Sequence, residues 1–415
     1  MRPIADEPAC KIRLLSRRAL LGGLVAAPML PVLARTGGAS RQLDRARLDR
    51  VSDYFRNEVS SGNIPGAVVL VQQHAAPALL QSFGLRDPAT RAPMTADAIF
   101  RIYSMTKPVT SVAAMMLVDD GRLSLNDPLS KFIPAFAETT VEGAPLARPI
   151  TILDLLRHTS GITYGFYGET AVRRLYANAH LFDGDIDNAA FVARLARLPL
   201  AEQPGTLWDY GHSTDVLGRV IEIVSGRSLF QFETERLLGP LGMRETAFVL
   251  ADPSQRSRVA EPSPRDWFDR PIAGLDDPIR PRRWESGGAG MIGTISDYAR
   301  FAQMLLNGGA LDGKLYLKPE TVALMAQDHV LAAGIRRDDL YFPGAESGFG
   351  LGFSVRLVEK PPRPRGEYGW DGVGGTFFFI DPADDMFVIC MMQSPSQRGR
   401  IQDELKRLVY AAMGR

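Results

Sequence analysis

The chain has 415 residues, of which 45% are hydrophobic and 23% are charged, as is ordinary for a globular protein with a large core. Its formal net charge is only +1, which argues against a basic surface for nucleic acid. Of the two cysteines, Cys10 would be lost with the N-terminus, so no disulfide is expected in the mature chain. Cys390 lies in an apolar run at 386–392, where a buried strand residue is expected.

The N-terminus has the features of an export signal. The letters SRRALL at 16–21 precede an apolar run that ends at Ala34, and twin arginines before such a run indicate the bacterial twin-arginine route. We expect residues 1–34 to be a signal peptide, residues 35–415 to be the mature domain, and the protein to be periplasmic or secreted. A retained N-terminal anchor is the alternative, although the run is short for a membrane span. Once the signal is removed, no stable membrane insertion is expected.

The elements predicted next begin with a charged helix within residues 35–60. Two strands follow at 66–73 and 78–83. A helix then begins near Ser104 and stops at Gly121, because glycine commonly ends a helix.

The middle of the chain is predicted to be helical and the end to return to strands. Helices are predicted in the segments TILDLLRHTSG, NAAFVARLARLPL, STDVLGRVIEIVSG and SDYARFAQMLLNGG, strands in GFGLGFSVRL, GGTFFFID and MFVICMMQ, and a last helix in QDELKRLVYAAM. The Pro-, Asp- and Arg-rich stretch 244–283 is expected to be a surface excursion that could shape an acyl pocket. One sheet built from about 45–130 and 290–415, with a helical part at about 131–289, accounts for this order.

Ser104 and Lys107 form an S-x-x-K motif at the start of the predicted helix. Positions i and i+3 share a helix face, so the hydroxyl and the amine can meet. Burial or a neighbouring positive charge lowers a lysine pKa enough to make it a base for a serine nucleophile. Alone, the motif fits a helix N-terminus with a capping serine and a solvated lysine equally well.

Two further segments could complete a catalytic site. Tyr210 follows a Pro-Gly turn in PGTLWDYGHS, and a phenol beside a lysine ammonium is expected to have a lowered pKa and to shuttle a proton. The glycine-rich segment 369–375 could bring a backbone N–H to a ligand, and with the N–H of Ser104 it would make an oxyanion hole. The alternatives are a packed tyrosine and a tight turn beside a packed tryptophan.

The order of these features resembles the serine β-lactamase and penicillin-binding-protein superfamily. The segments LLRHTSGIT, PGTLWDYGHSTDVLGRVIE, GGAGMIGTISDYARFAQMLLNGG and GFGLGFSV are similar to the class C β-lactamase-related hydrolases. The resemblance covers about residues 45–400. It implies a β-lactamase-like fold, α/β of the α+β type, with an antiparallel sheet from both chain ends flanked by helices and a helical lobe inserted.

The resemblance also implies a role for each motif residue. Ser104 would be the acylated nucleophile, Lys107 its partner base, and Tyr210 the tyrosine of the family's Tyr-x-Asn motif. Which of Lys107 and Tyr210 takes the serine proton is left open. The amides of Ser104 and Val373 would hold the oxyanion, and residues 370–372 stand where the family has Lys-Thr-Gly.

Departures from the family pattern bear on the substrate. Trp370 replaces the lysine that approaches the carboxylate of a penicillin, Asp371 replaces the hydroxyl residue, and His212 replaces the asparagine of Tyr-x-Asn. A carboxylate-bearing lactam would lose an attractive charge and meet a repulsive one. The tryptophan is similar to that of family VIII carboxylesterases. Their pattern is usually Trp-Gly-Gly, so Asp371 is a further departure. It either tunes specificity or holds a neighbouring arginine. Trp370, Asp371, Gly372 and His212 are the expected substrate-binding residues.

We therefore expect a serine hydrolase that cleaves small-molecule carboxylic esters through an acyl-enzyme on Ser104, without cofactor or metal. The alternatives are a β-lactamase, a D-amino-acid peptidase or other amide hydrolase, an acyltransferase, and an inactive binding protein on the penicillin-recognition fold. There is no G-x-S-x-G elbow, and the five histidines form no zinc motif. His158 is expected to be a structural, hydrogen-bonded residue. The sequence does not indicate an oligomeric state.

Overall fold

The structure is a computed structural model that describes residues 41–182, 185–264, 266, 277–337, 340–360 and 363–413. The predicted signal peptide lies outside the described residues, as does the 267–276 stretch of the predicted excursion. Export by the twin-arginine route therefore stays a prediction.

Strands predominate near the two ends of the described chain, and most of the helices lie between them. The helices are α1 (Arg45–Ser60), α2 (Thr106–Asp119), α3 (Ile152–Leu156), α4 (Ala171–Asn178), α5 (Asn188–Leu195), α6 (Ser213–Ser225), α7 (Leu229–Glu233), α8 (Gly239–Leu241), α9 (Ile295–Leu306), α10 (Pro319–Met325) and α11 (Arg398–Ala411). The strands are β1 (Gly66–Gln73), β2 (Ala76–Asp87), β3 (Ala92–Pro93), β4 (Phe100–Arg101), β5 (Thr140–Val141), β6 (Ala144–Pro145), β7 (Leu207–Trp208), β8 (Ile292–Gly293), β9 (Ala310–Leu311), β10 (Lys314–Leu315), β11 (Arg336–Arg337), β12 (Ser347–Phe349), β13 (Ser354–Arg356), β14 (Tyr368–Asp371), β15 (Phe377–Asp381) and β16 (Met386–Met392). Among these described helices, none has the length and apolar character needed to span a bilayer.

The main sheet joins the two ends of the chain. Eight antiparallel strands lie in the order β12-β13-β14-β15-β16-β1-β2-β3, so the last strand of the chain is the neighbour of the first. Val69 of β1 lies opposite Cys390 of β16. The expected fold, an antiparallel sheet assembled from both chain ends and flanked by helices, is confirmed.

The central strands are apolar on both faces because helices cover both. Val69 and Cys390 belong to the core under α1 and α11, whereas Val68 and Ile389 belong to the larger core that includes α2 and α9. Successive side chains of a strand point to opposite faces, so two covered faces require the continuous apolar run of β16. Cys390 is fully buried there, and burial raises the pKa of its thiol.

Two predicted elements differ from the structure: one predicted strand is divided in two, and one predicted helix ends early. The segment GFGLGFSVRL, predicted as one strand, forms the two strands β12 and β13, with Gly352 between them at φ +101°. A Cβ at Gly352 would lie 2.4 Å from the Oγ of Ser111 on α2, so the turn depends on glycine. The helix predicted to reach Gly161 ends at Leu156, because His158 takes a φ of +56° and turns the chain toward the loop of Tyr210.

Candidate active site

Ser104 sits on a short 3₁₀ turn, Tyr103–Met105, that leads directly into α2. Tyr103 has a φ of +44°, a conformation that costs about 1–3 kcal/mol in a residue other than glycine. The turn is held from outside: the hydroxyl of Tyr298 donates to the carbonyl of Met105 at 3.0 Å, and the amide of Met291 donates to Oγ1 of Thr106 at 3.1 Å. These contacts fix a backbone conformation that would otherwise relax.

Lys107 lies one helical turn from Ser104 and is 1% exposed. Its Nζ is 2.7 Å from the carbonyl oxygen of Gly288, 3.1 Å from the hydroxyl of Tyr164 and 3.3 Å from Oγ of Ser104. Burial lowers the pKa of Lys107 to about 7, against the opposing charges of Asp215 and Asp371.

The three contacts of Lys107 suit a neutral amine acting as a base. A neutral amine has two hydrogens and one lone pair. The carbonyl of Gly288 can only accept a hydrogen, and the hydroxyl of Tyr164 can accept the second. The lone pair is then left for the hydrogen of the Ser104 hydroxyl, as the S-x-x-K prediction requires.

Tyr210 also contacts Ser104. Its hydroxyl accepts a hydrogen bond from Nε1 of Trp370 at 3.1 Å and also interacts with the side chain of Ser104. Nζ of Lys107 lies 4.5 Å from the centre of the Tyr210 ring. The ring of Tyr341 stacks on the Tyr210 ring, with the ring centres 4.8 Å apart and the planes 4° from parallel. Ser104, Lys107 and Tyr210, separated by up to 106 positions in the chain, are therefore brought together.

The predicted lowering of the Tyr210 pKa is wrong. Burial raises the pKa of Tyr210 well above its usual value of 10, and the neighbouring Tyr341 raises it further. The expectation assumed a lysine ammonium beside the phenol, but the pKa of Lys107 is itself lowered to about 7. Tyr210 thus stays protonated at neutral pH and is suited to donate a proton.

The loop of Tyr210 is fastened by buried polar contacts. The carbonyl of His158 accepts the amide N–H of Asp209 at 2.9 Å, and the His158 ring lies 4.8 Å from that of Tyr210. The Asp209 carboxylate pairs with Arg173 at 2.9 Å, and the hydroxyl of Tyr167 donates to the carbonyl of Tyr210. Burial lowers the pKa of His158 well below its usual value, so this histidine is neutral and structural, in the role expected of it.

The glycine-rich segment after β14 packs against the turn of Ser104. A Cβ at Gly372 would lie 2.3 Å from the carbonyl oxygen of Ile102, and one at Gly374 would lie 2.5 Å from the ring of Tyr103. Only glycine allows this approach. Val373 stands between them, so its backbone is held beside the residues that precede Ser104. That position is compatible with the predicted oxyanion role of the Ser104 and Val373 amides, which stays a prediction.

Asp371 holds a neighbouring arginine, one of the two roles considered for it. Its Oδ2 lies 3.6 Å from Nε of Arg398, whose guanidinium lies 5.4 Å from the centre of the Tyr341 ring. Tyr341, Trp370, Asp371 and Arg398 all line a cavity of ≈ 460 Å³. Trp370 therefore contacts Tyr210 at the catalytic centre and also lines this cavity.

His212 contacts two residues that neighbour Lys107. Its Nδ1 is 2.9 Å from Oδ2 of Asp215, and its ring meets that of Tyr164 edge-on at 4.4 Å. The predicted contact of His212 with substrate therefore remains untested.

The sequence did not reveal three neighbours of the base, Tyr164, Asp215 and Gly288. The glycine-rich segment GGAG at 287–290 was nevertheless a signal of close backbone approach.

A metal centre is not assembled in the described part of the chain: it holds no group of three or more His, Cys, Asp or Glu side chains placed to bind an ion. The chemistry available at the site is that of a serine, an amine and two phenols.

Comparisons with known proteins find related sequences and structures. A family model described as Beta-lactamase matches residues 51–411. Protein Rv1367c of Mycobacterium tuberculosis is 36% identical, with 83% of this chain and 90% of that protein covered. Esterase EstB of Burkholderia gladioli is 32% identical over 88% of this chain and 95% of its own length. Among solved structures, EstCE1, described as a hydrolase with promiscuous acyltransferase activity, superposes with a TM-score of 0.76 at 28% identity, covering 88% and 99% of the two chains.

Proposed function

This chain belongs to the beta-lactamase family and is a serine hydrolase of that fold, and from this premise we propose that it cleaves carboxylic esters through an acyl-enzyme on Ser104. The observation that carries the proposal is the hydrogen bond from Trp370 to Tyr210, at the position where the resemblance leads us to expect a lysine for a substrate carboxylate.

Acylation follows from the position of Lys107 beside Ser104. The neutral amine of Lys107 takes the proton of the Ser104 hydroxyl, and Oγ attacks the ester carbonyl carbon. The negative charge that develops on the carbonyl oxygen is held by the backbone N–H groups of Ser104 and Val373. Removing one such donor typically raises the barrier by about 3 kcal/mol.

Departure of the alcohol requires a proton, and Tyr210 is placed to supply it. The phenol donates its hydrogen to the leaving oxygen, and the proton held by the Lys107 ammonium is returned to the phenol oxygen, so both groups regain their starting states. Water then attacks the acyl carbonyl and loses a proton to the same pair. The bond between the acyl carbon and Oγ of Ser104 then breaks, Oγ takes that proton from the pair to restore the hydroxyl, and the acid leaves.

The charges around β14 favour an uncharged ester over a penicillin-like lactam. Trp370 offers no cation, and Asp371 adds a carboxylate that is already paired with Arg398. An anionic substrate would have to compete with Asp371 for that guanidinium. Two like charges about 4 Å apart near a protein surface repel by up to about 4 kcal/mol.

Acyl transfer is the second candidate. EstCE1, whose structural match covers 88% of this chain, is a hydrolase with promiscuous acyltransferase activity. In this chain an alcohol would replace water in the second half of the reaction, on the same residues. Product analysis with added alcohols would show an ester product in addition to the acid.

The proposal is tested by comparing p-nitrophenyl acetate, p-nitrophenyl butyrate and nitrocefin on wild type and Ser104→Ala. We expect the kcat/KM of the better ester to exceed that of nitrocefin by about a hundredfold or more, equivalent to ~2.7 kcal/mol in the barrier. Ser104→Ala should lose both activities. Efficient nitrocefin hydrolysis with negligible ester turnover would overturn the proposal.

A further inference from the structure

Asp215, on the first turn of α6, is a buried carboxylate with no part in the reaction as described so far. Its Oδ1 accepts the hydroxyl hydrogen of Ser286 at 2.6 Å and the amide N–H of Gly288 at 3.1 Å. Its Oδ2 contacts Nδ1 of His212 at 2.9 Å. Although burial disfavours the charged form, the contacts with His212 and Ser286 and the charge of Lys107 lower the pKa of Asp215, so it is an anion at neutral pH.

Gly288 connects this carboxylate to the catalytic base. Its N–H donates to Asp215, and its carbonyl accepts the shortest hydrogen bond of Lys107. A Cβ at Gly288 would lie 2.8 Å from Oδ2 of Asp215, so the backbone approaches the carboxylate as closely as glycine allows. Thr110, on the same helix as Lys107, donates to the carbonyl of Gly287 at 2.9 Å. The 286–288 segment is thus held between α6 and α2.

We propose that Asp215 is a positioning residue for the catalytic base: it fixes the Gly288 carbonyl that orients the amine of Lys107 toward Ser104. The inference rests on the proposed function only in taking Lys107 as the base. His212 takes part in the same arrangement, since its Nδ1 contacts Asp215 and its ring supports that of Tyr164.

Asp215 affects Lys107 in a second way. Besides its hydrogen bond to Gly288, its negative charge acts directly on the amine. Around Lys107 the facing groups are Asp215 from α6, Asp371 from β14, His158 and the phenols of Tyr164 and Tyr210. Burial of Lys107 lowers its pKa, and the two carboxylates oppose that effect. Loss of the Asp215 charge should therefore lower the Lys107 pKa further and shift the acid limb of the activity profile to lower pH.

The test is the rate at which a fluorophosphonate labels Ser104, measured from pH 5 to 9 on wild type and Asp215→Asn. The asparagine keeps the shape of the side chain and removes its charge. We expect slower labelling on the plateau, by about tenfold, and a midpoint displaced to lower pH. A structural defect alone would reduce the amplitude without moving the midpoint.

Ser286→Ala is the matched control, because it removes a hydrogen bond to the same carboxylate and leaves the charge; its midpoint should stay at the wild-type value. If Asp215→Asn does not fold, Gly288→Ala, whose Cβ displaces the carboxylate, should still slow labelling about tenfold. A folded Asp215→Asn with the wild-type midpoint, or a Gly288→Ala that labels at the wild-type rate, would overturn the inference. Ester turnover on the same wild-type sample separately decides the proposed function.

Discussion

The indole N–H of Trp370 donates a hydrogen bond to the phenol oxygen of Tyr210 at 3.1 Å. Because the phenol oxygen accepts from Trp370, its own hydrogen is free for Ser104 or for the leaving oxygen. Tyr341 packs parallel to the Tyr210 ring and keeps the phenol in place. The residue that stands at the family's lysine position therefore orients the proton donor.

Trp370→Phe should slow the chemical step while leaving ester binding largely intact. The change removes the N–H donor and keeps an aromatic ring, so kcat should fall about tenfold, as a lost hydrogen bond of ~1.4 kcal/mol predicts. Steady-state kinetics with p-nitrophenyl butyrate measures the change in kcat and KM. Tyr210→Phe provides the reference, since it removes the phenol altogether and should cost more. Wild-type kcat in Trp370→Phe would contradict the role of the indole.

The pH profile of kcat/KM should rise through a midpoint near 7. The base must be the neutral amine, and burial lowers the pKa of Lys107 to about 7. Lys107→Met should lose about a thousandfold in kcat/KM, whereas Lys131→Met, at an exposed lysine, should match wild type. A midpoint near 10, the value of an ordinary lysine, would show that another group takes the serine proton.

Asp371→Asn should make the enzyme more tolerant of anionic esters. The substitution removes a carboxylate from the cavity wall and releases Arg398 from its partner. The readout is the ratio of kcat/KM for p-nitrophenyl hydrogen succinate to that for its methyl ester, which differ mainly in charge. We expect the ratio to rise about tenfold.

Arg407→Gln is the control for that ratio, because Arg407 is an exposed arginine on the same helix as Arg398 and pairs with Glu404. It should leave the ratio at the wild-type value. An unchanged ratio in folded Asp371→Asn would mean that the carboxylate has no part in charge selection.

Glu233→Gln should stabilise the protein increasingly as pH rises. Burial raises the pKa of Glu233 well above its usual value, and its Oε1 lies 3.3 Å from Oγ1 of Thr110. A raised carboxyl pKa contributes stability below the unfolded-state pKa, and that contribution is lost as pH rises. The free energy of unfolding of the variant should exceed that of wild type by about 1–3 kcal/mol at pH 8 and by little at pH 4. Urea denaturation at both pH values measures this difference in the free energy of unfolding, with the exposed Glu320→Gln as control. A difference that does not change with pH would contradict the prediction.

Local sequence was sufficient to bring Ser104 and Lys107 together, whereas their roles required the resemblance carried by the other motifs. Ser104 and Lys107 are three positions apart at a helix start, and that spacing alone puts their side chains on one face. The sheet was likewise predictable, because the apolar runs of β1 and β16 required two covered faces.

The surroundings of the base could not be predicted in this way. The carbonyl of Gly288 lies 181 positions from Lys107 in the chain, and Asp215 reaches it only through the folded 286–288 segment. The Tyr210 pKa was predicted in the wrong direction for a related reason. Its sign depends on how deeply Tyr210 and Lys107 are buried, which the letters around Tyr210 do not reveal. The hairpin at Gly352 was missed because a strand–turn–strand of apolar letters looks like one strand.

The most direct test of the account is to find the acyl group. Wild type and Ser104→Ala would be acid-quenched within milliseconds of mixing with p-nitrophenyl butyrate, digested and mapped by mass spectrometry. We predict one butyryl group on Ser104 of the wild type, no adduct in Ser104→Ala, and no ester turnover by that variant. A butyryl group on another side chain, or turnover by Ser104→Ala at the wild-type rate, would contradict the account.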